Sequence, residues 1–147
     1  MLMSPPSTID VLNRLLVLHE RSLPVYLSYA PPHQLLATGH ATAVLDQIVA
    51  DHKRTIDRLG TLIIESGGTA DHGEFPMSFT SLHDLSLDYL LNLLIERQGK
   101  FIAACERLAE MLNLAPYAQA TAREAVGEAK GHLENLQELQ AELATHA

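Results

Sequence analysis

The chain has 147 residues, 47% hydrophobic but only 5% aromatic with no Trp, and a formal net charge of −8. This length suits one domain, residues 1–147, with a core of its own, and the Leu- and Ala-rich composition favours helices over a β-sandwich. The negative charge opposes nucleic acid and anionic membrane surfaces as partners, and the single cysteine, Cys105, cannot form an internal disulfide.

MLMSPPST has neither the basic nor the apolar region of a signal peptide. No apolar run approaches the ~18–20 residues of a membrane span. The expectation is a soluble, cytoplasmic protein. Residues 1–7 read as an N-terminal extension in which Ser7, or Thr8 after it, caps the first helix. In that helix Ile9, Leu12, Leu15, Leu16, His19, Leu23, Tyr26 and Ala30 recur at spacings of three and four. Pro24 predicts a kink within it, and Pro31-Pro32 ends it. The loop from His33 to Thr42 has room for a helical turn at Gln34-Leu35-Leu36.

The second helix is expected over 43–66, with Leu45, Ile48, Val49, His52, Ile56, Leu59 and Ile63 on one side. Asp51, Lys53, Arg54, Asp57 and Arg58 fall on the flanks or the solvent face, and Gly67-Gly68 supplies a left-handed cap. Residues 69–80 are long enough to cross along the molecule, with Phe75, Met77 and Phe79 packing back onto it. Thr80 or Ser81 would cap a third helix burying Leu87, Leu91, Leu94, Gln98, Phe101, Ile102, Cys105, Leu108 and Leu112, and its Gly99 points to close helix contact. Pro116 opens the fourth helix, whose stripe is Ala118, Ala122, Ala125, Ala129, His132, Leu136, Leu139 and Leu143. The expected fold is all-α, a four-helix bundle with a long connection between its second and third helices.

At 100° per residue, His19, His52, Gln98 and His132 each fall at the centre of a stripe and near the middle of a helix. They should meet in one layer, with Glu20 and Glu128 within reach at its edge, while Glu96 faces solvent. Such a layer can be structural, fixing register by internal hydrogen bonds. It can also hold one transition-metal ion, zinc or iron, because neutral imidazole is a common ligand and bundle cores are where helix-borne sites form. The candidate ligands are His19, His52 and His132, assisted by Gln98, Glu20 and Glu128. His33, His40, His72, His83 and His146 are expected in solvent, and Cys105 as a small buried hydrophobe. No nucleophile elbow or phosphate loop is present, so no catalytic residue is assigned.

The chain resembles the ferritin-like superfamily, bacterioferritins in particular. The resemblance rests on LNRLL at 12–16 with YLSYA at 26–30, the second helix ending in Gly67-Gly68, and GHLENL at 131–136. It implies a crossover over 69–80, a homodimer, and the family's di-iron site: one Glu from each of the first and third helices and Glu-x-x-His from the second and fourth. His52 and His132 stand at the family's histidine places, but Val49 and Ala129 replace the Glu of each motif. His19 and Ile95 stand at the other two Glu places, with Glu20 and Glu96 displaced by one. Ala50 stands where bacterioferritins ligate haem through Met, so no haem is expected. The resemblance therefore implies a ferritin-like protein with a degenerate, mononuclear site and no ferroxidase activity. Two other readings stay open: a non-enzymatic interaction or assembly module with a structural polar layer, and a pH-responsive histidine core.

Overall fold

A computed structural model describes residues 6–145 except His83, and every regular element among them is helical. Helix α1 (Thr8–Glu20) opens with a reciprocal capping box. Asp10 N donates to Ser7 Oγ at 3.1 Å, and Ser7 N donates to Asp10 Oδ2 at 3.4 Å. The expected kink at Pro24 is instead a full break. Ser22 is extended (φ −71°, ψ 157°), and a separate helix, α2 (Leu23–Tyr29), starts with Pro24 in its first turn. A proline inside one helix would clash with the carbonyl four residues back and leave it without a donor; in a first turn the missing N–H costs nothing.

Ala30 ends α2 before Pro31-Pro32, and the expected turn is α3 (His33–Leu36). Helix α4 (Gly39–Glu65) begins several residues before the expected start, after an extended Thr38. It closes as expected on Gly67, whose φ of +84° is costly for any residue with a Cβ, while Gly68 N donates to Ile63 O at 2.9 Å.

The connection that follows runs beside α1 and α2. Asn13 clasps it with two bonds: Nδ2 donates to Thr69 O at 3.0 Å, and Oδ1 accepts from Asp71 N at 2.7 Å. Farther on, Arg21 Nε donates to His72 O at 2.8 Å, and Gly73 (φ +59°) lies so close to Val17 that a Cβ there would stand 2.8 Å from Val17 Cγ1. The segment ends in a 3₁₀ turn (Met77–Ser81) that buries Phe79. Phe75 is half-buried against Tyr26, but Met77 is 83% exposed, contrary to the expectation that all three side chains pack. Thr80 and Ser81 spend their hydroxyls inside this turn, on Met77 O and Ser78 O. The cap of the next helix is therefore Ser86, whose Oγ accepts from Tyr89 N at 3.3 Å.

That helix is α5 (Leu87–Glu110), and the last is α6 (Pro116–Thr145). Helix α4 packs between α1 and α6, and α5 packs between α6 and α1. Contacts Arg58–Glu124 and His40–Glu142 make α4 and α6 antiparallel, and Gln119 on Ala109 with Gln140 on Asn92 does the same for α5 and α6. Gly99 contradicts its expected role: it is exposed, and a Cβ there would meet nothing within 4 Å.

The apolar interior falls into two clusters. One gathers Leu12, Leu16, Leu59, Ile63, Cys105 and Ala122; the other Leu27, Ile48, Phe79, Leu90, Leu94 and Leu136. Between these two sets each long helix buries polar residues: His19 in α1, Asp51, His52 and Thr55 in α4, Gln98 in α5 and His132 in α6. No helix of the described residues is long and apolar enough to cross a membrane.

Candidate functional site

Four of the buried polar residues between the two clusters are those that helical spacing singles out. His19, His52, Gln98 and His132 are each 5% exposed or less. The rings of His19 and His52 meet edge to face with centroids 4.9 Å apart, and His52 and His132 do so at 6.3 Å. Phe101 completes the inner part of the layer. Its ring stacks on His52 at 5.1 Å and meets the edge of His19 at 4.9 Å.

Each polar group has its own arrangement. His19 Nδ1–H donates to Leu15 O at 2.8 Å, one turn back in α1, which leaves Nε2 as the acceptor of the neutral ring. Gln98 Nε2 donates to Ala129 O at 3.1 Å and ties α5 to α6. His52 Nε2 is buried without a hydrogen-bond partner. Burial holds the His19 pKa down at about 4, against a partial opposing effect of the Leu15 carbonyl. Burial, with the adjacent His19 and His132, keeps His52 well below the ordinary histidine range. These rings are neutral at pH 7.

At the α4–α6 seam the layer changes character. His132 Nε2 stands 3.0 Å from Asp51 Oδ2 but without the alignment of a hydrogen bond. Asp51 Oδ1 accepts from Gln47 Nε2 and from Arg54 Nη2, both at 3.1 Å. The same Arg54 nitrogen donates to Glu128 Oε1 at 3.0 Å, so one exposed guanidinium bridges two carboxylates. Burial lowers the His132 pKa, whereas Asp51 and Glu128 pull it back up. Ligand atoms of Asp51, Glu128 and His132 all lie within 4.8 Å of one another, a separation one ion can span.

Among the candidate ligands, His19, His52, His132 and Gln98 do share a layer. The group with ligand atoms drawn together in this way, however, is Asp51, Glu128 and His132. Glu128 is at this edge, as expected. Glu20 is elsewhere, accepting from His72 Nδ1 at 2.7 Å beside the connection after α4. Asp51, expected on the solvated flank, is 9% exposed, because α4 is covered by α6 as well as by α1 and so buries a wider face than a single stripe. A signal was available: Arg54 and Arg58 match Glu124 and Glu128 in four-residue spacing, as two antiparallel helices in contact require.

The other residues behave more simply. Burial pushes the Cys105 thiol up to about 12, with Glu106 adding to the effect, so it is a packed apolar group. His33, His40 and His72 are exposed, though His40 meets Glu142 at 2.9 Å; His83 and His146 lie outside the described residues, as do residues 1–5 of the extension. Val49 and Ala129 are buried, Ile95 is half-buried, and Ala50 is exposed.

No protein-family model, curated protein or solved structure matches the chain.

Proposed function

We propose that the chain is a ferritin-like four-helix bundle, formed by α1 with α2, α4, α5 and α6, that holds one divalent transition-metal ion through His132, Asp51 and Glu128. The architectural part rests on the ring of helix contacts and on the long connection beside α1, which lets α4 and α5 run in the same direction. The single observation that carries the site is the His132 Nε2. It is buried, and it stands 3.0 Å from Asp51 Oδ2 in a three-residue set of compatible ligand atoms.

A pair of irons does not fit. Val49, Ile95 and Ala129 offer no donor where the family needs carboxylates, and no bridging carboxylate lies in the inner part of the layer. One ion with mixed nitrogen and oxygen donors suits zinc or ferrous iron better, with His52 and His19 behind it as neutral imidazoles. The bound ion would replace the Arg54 guanidinium as the positive partner of Asp51 and Glu128. No redox step follows from this arrangement, and Ala50 gives haem no ligand. By the same resemblance the working unit is a homodimer.

The test is elemental analysis of freshly purified protein, followed by titration of the stripped protein with Co²⁺ or Zn²⁺. One ion per chain is expected, with a rise in melting temperature and a Co²⁺ spectrum of nitrogen and oxygen donors that His132→Ala abolishes. A chain that takes up neither ion, and whose melting temperature neither raises, has no such site. The competing reading is a non-enzymatic bundle with a structural polar layer. It is favoured by Arg54, which already satisfies both carboxylates as an ordinary ion-pair network.

A further inference from the structure

A cleft of about 570 Å³ opens where α1 breaks into α2, between the connection after α4 and helix α5. Its size lies in the roughly 300–1,000 Å³ range of small-molecule sites. Its walls are apolar in the main, with Leu23 and Phe79 on one side and Phe101 at the inner end, where the cleft stops against the back of the histidine layer.

Its charge is opposite to that of the molecule. The chain has 18 Asp and Glu against 10 Lys and Arg, yet the cleft is lined by Arg21, Arg97, Lys100 and Arg107 and by one acid, Glu74. Lys100 is paired with Glu96, and Arg21 is engaged by the His72 carbonyl and the face of Phe75. Among the described residues Arg97 and Arg107 form no ion pair. The Arg97 guanidinium lies over the Phe79 ring at 4.8 Å, and its Nε is buried without an acceptor. Ser22, whose own hydroxyl is buried, lines the same space. A guanidinium with no acid partner in a cleft of apolar walls suits an anionic head carried on an apolar body.

The geometry points to this cleft as a binding site for a small amphiphilic carboxylate, its head on the Arg97 guanidinium and its apolar body along Leu23, Phe79 and Phe101. The site is separate from the α4–α6 seam and does not depend on a metal there.

Decanoate is the probe, titrated calorimetrically into the full chain in the presence of a chelator, beside decanol and acetate. Saturable binding of one decanoate per chain is expected, with decanol at least tenfold weaker and acetate without measurable binding. Arg97→Gln should weaken decanoate at least tenfold while leaving decanol unchanged. Absence of saturable decanoate binding, equal binding of decanol, equal binding of acetate, or an unaltered Arg97→Gln variant each overturns the assignment. If Arg97→Gln does not fold, the salt response of the unaltered chain decides in its place: decanoate binding weakened by added salt while decanol binding is not supports the site, and decanoate binding that salt does not weaken overturns it.

Discussion

The two parts of the polar layer use the same side chain in opposite settings. The inner part, His19 and His52 around Phe101, is closed off by aromatic and aliphatic groups and has no carboxylate. The outer part, His132 at the α4–α6 seam, is as well covered by its residue's exposure but faces Asp51 and Glu128. Burial, joined at His52 by the neighbouring histidines, drives the inner rings toward neutrality; at the seam the carboxylates work against the same burial. A histidine layer is thus not one chemical object. Position relative to a neighbouring acid decides how far burial alone sets the charge of an imidazole.

The most severe way to break this contrast is Phe101→Ala. Truncating a buried phenylalanine costs about 3–5 kcal/mol, and here it also opens the face against which both inner rings rest. Equilibrium urea unfolding should show the loss, and NMR titration should find the His19 pKa moving up from about 4 as water reaches it. A loss near zero would mean that the inner part is not packed as described.

Acid titration probes the same contrast less severely. His19 has a folded-state pKa of about 4 against 6.5 in the unfolded chain, so between those values the unfolded chain binds more protons. Its contribution to stability is complete above about pH 6.5 and is lost as pH falls toward 4, a change on the order of 3 kcal/mol, with His52 acting in the same direction. Melting temperature measured across this range should fall on acidification, and His19→Leu should flatten the curve. A wild-type profile that is level from pH 7 to 4 would remove the burial argument.

The mildest change sharpens the outer part. Arg54 is exposed, so Arg54→Gln should leave thermal stability almost as it was. Freed of the guanidinium, Asp51 and Glu128 should bind Co²⁺ more tightly than in the parent chain. Unchanged or weaker Co²⁺ binding would argue that the seam is an ion-pair network and nothing more.

Much of this was legible in the sequence because helical periodicity reports which face is covered. It brought His19, His52, Gln98 and His132 together from four separate segments, and it identified the Gly67 stop and the Pro116 start. What it misjudged depended on neighbours. Asp51 is buried by a second helix at the side of α4, which a single-stripe reading has no means of counting. Phe101 was placed on the buried face of α5 but not between the rings, because its position in the layer depends on how far its side chain reaches across. Thr80 and Ser81 read as caps, and only the 3₁₀ turn that contains them reveals that their hydroxyls are engaged. Pro24 was recognised as disruptive; whether a proline bends a helix or divides it turns on whether the chain can restart with that proline in a first turn.

The clasp at Asn13 has a chemical consequence of its own. Its side-chain amide donates to one backbone group and accepts from another two residues along, the pairing that one strand offers the next. A side chain thus stands in for a strand, and it does so with a fixed polarity. Conversion of Asn13 to Asp sets an acceptor against the Thr69 carbonyl and turns one of the two attractions into a repulsion. The long segment that lets the last two helices fold back is in this way secured by a group that must both donate and accept, a pairing a carboxylate has no means to supply.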